Sequence, residues 1–414
     1  MQGLRPSSDS EISKKLSALD CFIVHVNHAS LLIKSDGHYI LTDPWFISPA
    51  FSCWSQRPQP MPDMIEYILN IDPSKLAVVI SHGHDDHIDD FFLKKHLAAA
   101  TYFYPEFASP GLGNRVKAIS SHPPIGIGTG KRWNSFALNQ LVNQDFTQFD
   151  AIVTIQSDDF DIIHANDNWH EQPKEVISRL NELVKSDSGK SRYYFSQVGI
   201  ADPFPMAYPQ FSLLESKSMV SDRVEKIIQA TLRNMAAMGF KKIYAYANQA
   251  MIISETVDPT LKSYDLAKEL IGQHGEIIQL EPGYLVTEEK SYSDQQIDDF
   301  KFTDRLIQSL ENKANAYLKK CNVNDCKIVF EVIPNHHAPK EALTTKTAYY
   351  AASLIHWQNM LTGKVNLESI AIGGCGQIYK YPKEWNMRDV HNSMSKFAYI
   401  AQSMLNNEGL RWLL

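Results

Sequence analysis

The chain has 414 residues and a net charge of −7, and its composition is 44% hydrophobic and 21% charged. That is enough apolar material for one large core or two domains, and the negative balance argues against non-specific binding to nucleic acid or an acidic membrane surface. Cys21, Cys53, Cys321, Cys326 and Cys375 are too scattered for a disulfide scaffold, no run reaches transmembrane length, and the opening "MQGLRPSSDSEISKKLSALD" lacks a secretory apolar core. These features predict a soluble cytoplasmic protein that binds neither nucleic acid nor membrane.

In chain order, residues 1–20 read as a polar tail or a peripheral helix. The stretch "CFIVHVNHASLLIKSDGHYILTDPW" reads as three strands, with turns at Ser35-Asp36-Gly37 and Asp43-Pro44. "DMIEYILNI" has helical spacing and "LAVVI" is a short buried strand. "DDFFLKKHLAAA" is a helix capped by Asp89 or Asp90. "AIVTIQSDDFDIIHAND" gives two strands around a Ser-Asp-Asp turn, and "PKEVISRLNELVKS" an amphipathic helix with Pro173 near its start. Further helices are expected near 221–238, 259–273 and 301–320, with short strands in "KKIYAYA" and "IIQL". The last hundred residues read as mostly helical, and "KEALTTKTAYYAASLIHWQNMLTG" ends on Gly363 as a C-cap. Strand runs followed by helices, twice over, predict an α/β (α+β) chain in which two sheets pack face to face with helices outside. The expected divisions are a tail over 1–20, a domain over 21–300 and a helical region over 301–414 packed on it.

The chemistry concentrates in "VVISHGHDDHIDD", residues 78–90. His82 and His84 are two apart on a loop beyond a strand and can point the same way. Asp86 and His87 are adjacent on the next turn and can face a second centre. Three imidazoles and a carboxylate so close together suit zinc, iron or manganese rather than calcium. A solvated loop capping the following helix would account for one or two of these histidines, but not for all three and the aspartate.

H-x-H-x-D-H after a strand resembles the signature of the metallo-β-lactamase superfamily. That resemblance implies an αββα sandwich and a later bridging aspartate, for which Asp167 in "FDIIHANDNW" stands in place. The customary third histidine of the first centre has no match in "NQLVNQDFTQFD". Asp145 or Gln148 there, His164 from the later strand, or His122 are the substitutes available. The customary last histidine is also missing, and "KKIYAYANQAMI" offers Asn248 and Gln249 instead. Within the superfamily, "HVNHASLLI…ILTDPWFISPAF", "ISHGHDDHIDDFFLKKH", "FPMAYPQF" and "KKIYAYANQAMIISE" resemble the CMP-N-acetylneuraminate hydroxylases. Those carry a Rieske iron–sulfur cluster held by two cysteines and two histidines. No cysteine here is followed two residues later by histidine, so no Rieske cluster of the usual form is expected.

The residues expected to ligate metal are therefore His82, His84, Asp86, His87 and Asp167, with His164 and Asp145 as substitutes. Asp86, Asp167 and His28 are the candidates for catalysis. Asp43 is expected either beneath the metal loop, orienting a ligand histidine, or as an Asp-Pro turn. Asp202, Tyr208, the pair His336-His337 and the basic Lys131-Arg132 are secondary candidates for the pocket. The resemblance implies an iron oxygenase or hydroxylase with one or two iron ions. Its substrate would be small and polar, a sugar or nucleotide-sugar among the options, and the electrons would come from a separate protein or from the substrate. The alternative is a zinc or manganese hydrolase using metal-activated water, and a third reading is a non-catalytic binding protein.

Overall fold

The apolar alternation that begins at Cys21 folds as an antiparallel meander, Phe22–Asn27, Ser30–Ser35 and His38–Thr42. Its second connection is a two-residue turn, where Asp36 and Gly37 both hold positive φ (49° and 72°), the backbone twist that closes a hairpin tightly. The computed structural model describes all residues except 1–9, 143–149, 169, 186–188, 201–204, 206–209, 249, 253–262, 293–300, 333–344, 366, 368–375 and 383. The chain divides into two compact units. The larger comprises Ser8–Phe46 and Gln56–Ile297, and the smaller includes Ile47–Ser55 and Asp298–Leu414.

The larger unit holds two sheets. The first runs in the order Lys290–Ser291, Tyr284–Leu285, Phe22–Asn27, Ser30–Ser35, His38–Thr42, Leu76–Val79, Thr101–Tyr104, Ile125–Gly126. The second runs Ile277–Gln279, Ile243–Tyr246, Ser191–Gln197, Phe160–His164, Ala151–Gln156, Phe136–Val142, Lys131–Trp133. One core lies between them, where Ile23, Leu31, Ile33, Ile40 and Val79 of the first meet Leu138, Val153, Ile155, Ile162 and Phe195 of the second. The outer face of the second sheet, with Ile152, Ile163, Tyr194 and Ile243, is covered by the helices Lys174–Leu183, Leu213–Ala237 and Ser263–Ile271. The sandwich is thus buried on both sides of that sheet, which is why Ala151–Gln156 and Phe160–His164 are nearly continuous apolar runs rather than alternating ones.

The central pairs are parallel: His38–Thr42 with Leu76–Val79 in one sheet, Phe160–His164 with Ser191–Gln197 and then Ile243–Tyr246 in the other. Loops leaving the carboxyl ends of parallel strands emerge together, and that end of the sandwich carries the candidate site.

In the smaller unit, the C-terminal region is helical as expected, with helices Lys301–Lys320, Leu354–Leu361 and Arg388–Glu408. It also contains a three-stranded sheet, Cys326–Val332, Lys346–Ala352 and Gly376–Tyr381. Lys346–Ala352 corrects the expectation of one continuous helix up to Gly363. Alanine favours helix in isolation, but Tyr350 packs edge-on against Phe330 of the neighbouring strand, and such packing overrides propensity. Ser353 then caps the following helix by accepting from the His356 amide. Buried Glu311 and the half-buried Asn315 of Lys301–Lys320 accept from the amides of Phe330 and Ile328 (2.8 and 2.9 Å), tying helix to strand.

Candidate metal centre

The site is built on Asp43, which is fully buried at the end of the strand His38–Thr42. Its backbone amide donates to Val79 O (3.0 Å), which sets the two parallel strand ends side by side. Its carboxylate accepts from Ser81 N and Ser81 Oγ (2.7 Å each) and from His164 Nε2 (2.8 Å), and lies 3.4 Å from His87 Nδ1. Burial alone would raise the pKa of this carboxyl. The hydrogen bonds and positive charge of His164 and His87 overcome burial and hold it far below the carboxylate range. Asp43 thus lies beneath the loop, beside His87, which is the first of the two places expected of it.

Beyond Ser81 the loop presents its side chains to two clusters. His28, Asp86 and His87, all buried, bring one ligand atom each within 4.8 Å of the others, and so do His82, His84 and Asp167. In the inner cluster Asp86 Oδ2 lies 3.4 Å from His28 Nε2 and 3.8 Å from His87 Nε2. In the outer one His82 Nε2 lies 2.9 Å from His84 Nδ1 and 3.6 Å from Asp167 Oδ2. Asp167 spans the two, because its Oδ1 is 3.6 Å from His87 Nε2. Asp150 Oδ1 also stands 3.6 Å from His82 Nε2.

The electrostatics follow from burying these charges together. Burial disfavours the imidazolium of His87, but the carboxylates of Asp167, Asp86 and Asp43 outweigh it and lift its pKa to about 10. Burial, with Asp86, Asp150 and Asp43 close by, pushes Asp167 up to about 8 despite His87. Asp86 is held low because His87 and His28 outweigh its burial. Burial and the neighbouring His87 and His84 drive His82 well below its ordinary value, and burial lowers His28. The donor set fits a metal. Asp86 Oδ1, His87 Nε2 and Asp167 Oδ1 are buried without a hydrogen-bond partner among the described residues, an arrangement whose cost a cation removes.

The sequence candidates fall into place unevenly. His82, His84, Asp86, His87 and Asp167 come together. His28, singled out as a catalytic candidate, sits in the inner cluster where a further imidazole was missing. It is set there by a left-handed backbone (φ 45°) whose carbonyl accepts from His25 Nε2 and Ala247 N, 3.0 Å each. His164 does not join the ligand groups. Its Nε2 donates to Asp43 and its Nδ1 lies 2.6 Å from Tyr246 Oη, so both ring nitrogens are occupied behind the site. Asn248 turns its amide to Val198 O (2.6 Å). His122 is exposed beyond the helix Gly111–Ile119, and Lys131 and Arg132 are exposed on an edge strand. Asp145, Gln148, Asp202, Tyr208, Gln249, His336 and His337 lie outside the described residues. Asp150 escaped the sequence reading. It lies just before a strand that runs antiparallel to Phe160–His164 with Val153 opposite His164, which brings Asp150 to the same end as Asp167.

Residues 23–183 match the family model of a beta-lactamase superfamily domain. This segment holds both clusters and Asp150, and with the sandwich described above the chain carries a metallo-β-lactamase fold. Two curated proteins from strains of Mycobacterium tuberculosis, both named as Rieske 2Fe-2S iron-sulfur proteins, are 30% identical over 105 residues. The match covers 24% of this chain and 19% of theirs, so the chain spans about a fifth of these relatives. Among solved structures, CmlA, a diiron β-hydroxylase from Streptomyces venezuelae, is 15% identical with a TM-score of 0.40, covering 63% of this chain and 53% of that one. Igni18, a metallo hydrolase from Ignicoccus hospitalis, is 16% identical with a TM-score of 0.40, covering 64% and 97%. Among the described residues no helix is long and apolar enough to cross a membrane.

Proposed function

We propose that the chain is an iron-dependent oxygenase that binds two ions and oxidises a small polar substrate. The observation that carries this reading is the composition of each cluster. His28–Asp86–His87 and His82–His84–Asp167 are each two imidazoles and one carboxylate, a donor set of non-haem iron oxygenases that leaves coordination positions open; catalytic zinc sites use it too, and the resemblance to the hydroxylases favours iron. Iron bound there supplies the redox chemistry with dioxygen.

The protein's own residues do the rest. Asp43 fixes the ring of His87, while Asp167 offers one carboxylate oxygen to each cluster and Asp150 a further carboxylate to the outer one. The buried inner cluster is shielded from bulk water, and Trp45, edge-on to His28 at 5.1 Å, covers that ring. The 414 residues hold no C-x-H pair, so in this reading the electrons reach the site from outside them, from an electron-donor protein or from the substrate itself. A sugar or nucleotide-sugar remains the substrate class implied by the hydroxylase resemblance.

Metal analysis of freshly purified full-length protein tests the reading. Two iron ions per chain, with a visible absorption band after exposure to oxygen, is the expected result. Zinc without iron after anaerobic, iron-replete expression would replace it with the hydrolase reading, in which a metal-bound water attacks a carbonyl or phosphoryl centre. A folded chain that takes up neither metal would leave a binding protein.

A further inference from the structure

Arg115 belongs to neither cluster, yet its guanidinium is committed to the loop that carries four of the six ligand groups. From the helix Gly111–Ile119 it donates through Nη1 to Gly83 O (2.7 Å) and through Nη2 to Asp85 Oδ1 (3.0 Å) and Ile88 O (3.4 Å). Nε and Nη2 also hold both carboxylate oxygens of Asp90, at 2.9 to 3.1 Å. One planar group therefore fixes positions 83, 85, 88 and 90, which alternate with or flank His82, His84, Asp86 and His87. Asp85 and Asp90 are about half exposed, so their ion pairs with Arg115 add little stability. The two backbone carbonyls matter more, because a rigid fork that reaches both dictates the path of the loop.

The two clusters depend on that path to different degrees. His28, Asp86 and His87 are buried, and His87 is held from behind by Asp43. His84 is exposed. Its chain neighbours are Gly83, whose backbone is costly to order, and Asp85, and Arg115 anchors both.

We propose that Arg115 is a positioning residue for the outer site: it holds His84 within reach of the ion shared with His82 and Asp167, and so decides whether the chain carries one ion or two. This rests on the two-ion reading above. Selective loss of one ion is a signature that general destabilisation would not produce.

The test is anaerobic ferrous titration of the full chain against a competing chelator, with iron per chain measured after desalting, for wild type, Arg115→Gln and Arg115→Lys. Arg115→Gln is expected to keep the inner ion and to weaken the outer one by about 10- to 100-fold, as loss of a group supporting a ligand does. Arg115→Lys, which keeps the charge without the fork, should fall between. The thermal midpoints of the metal-stripped proteins should stay close together. Should Arg115→Gln fail to fold, Asp85→Asn removes one anchor beside His84 and should weaken the same ion. Two ions held equally well by wild type and Arg115→Gln, or both weakened alike, overturn the inference alone. A wild-type chain that never takes a second ion overturns the two-ion reading and this inference with it.

Discussion

Asp167 and His87 show what a few buried atoms demand. At neutral pH the raised pKa values of about 8 and about 10 leave both groups protonated in the metal-free fold. Both contributions therefore grow as pH falls. The proton on His87 stabilises the fold fully below its ordinary 6.5, and that contribution is lost as pH rises through about 10. Asp167 gains its contribution as pH falls below about 8, complete once the unfolded carboxyl, near 3.8, is protonated too. A cation must displace both protons, so metal uptake at pH 7 should release protons and tighten as pH rises towards 10. Calorimetric titrations in two buffers of different ionisation enthalpy check this, and equal heats would contradict it. Because Asp167 faces both clusters, Asp167→Ala should strip both ions, whereas His28→Ala should cost the inner ion and leave the outer; iron per chain after desalting distinguishes the two. Asp43→Ala leaves the buried His164 and His87 without their carboxylate and should destabilise the metal-free protein by about 3–5 kcal/mol, read from denaturant unfolding.

At the scale of elements, the site is a set of strand ends. His28, Asp43, Asn166 and Ala247 each directly or nearly follow a strand and hold φ between 37° and 56°, a left-handed turn that bends the chain back across the mouth of the sandwich. For Ala247 that conformation costs roughly 1–2 kcal/mol, against about 0.5–1 kcal/mol of extra chain entropy for glycine. Because the Ala247 methyl is also fully buried in the core and worth about 0.8 kcal/mol, Ala247→Gly should change stability by no more than about 1 kcal/mol with metal uptake intact, which urea unfolding and iron content together verify. The metal loop was legible in the sequence because all its ligands lie within one short run beside an apolar strand. His28 and Asp150 were not legible as ligand groups. Position 28 reaches the cluster only through the meander, and position 150 only through the pairing of Val153 with His164. Neither pairing leaves a local mark. His164 misled for a related reason: strand periodicity places it at the right end but does not say that Asp43 and Tyr246 take both its nitrogens.

Across the whole molecule, both clusters lie in the larger unit. Metal should therefore stabilise that unit by mass action, by about 2.7 kcal/mol per site when free ion stands at a hundred times its dissociation constant. Scanning calorimetry with and without chelator should show the transition of this unit move down on stripping; a midpoint indifferent to metal would count against binding to the native fold. The two-sheet architecture was readable from the order of strand and helix runs. The three-stranded sheet of the smaller unit was hidden because its central strand is rich in alanine, a residue whose local preference points to helix while its neighbours in space decide for strand.

The bond between Asp43 and His164 joins the end of one sheet to the end of the other, and the candidate donors are divided in the same way, with His28 and residues 82–87 on loops of the first sheet and Asp150 and Asp167 on loops of the second. Slipping any of these strands by one residue would turn its side chains to the opposite face and pull the donors apart. Metal uptake would therefore also report on assembly: a chain whose sheets have closed in the wrong register has nowhere to put the ion.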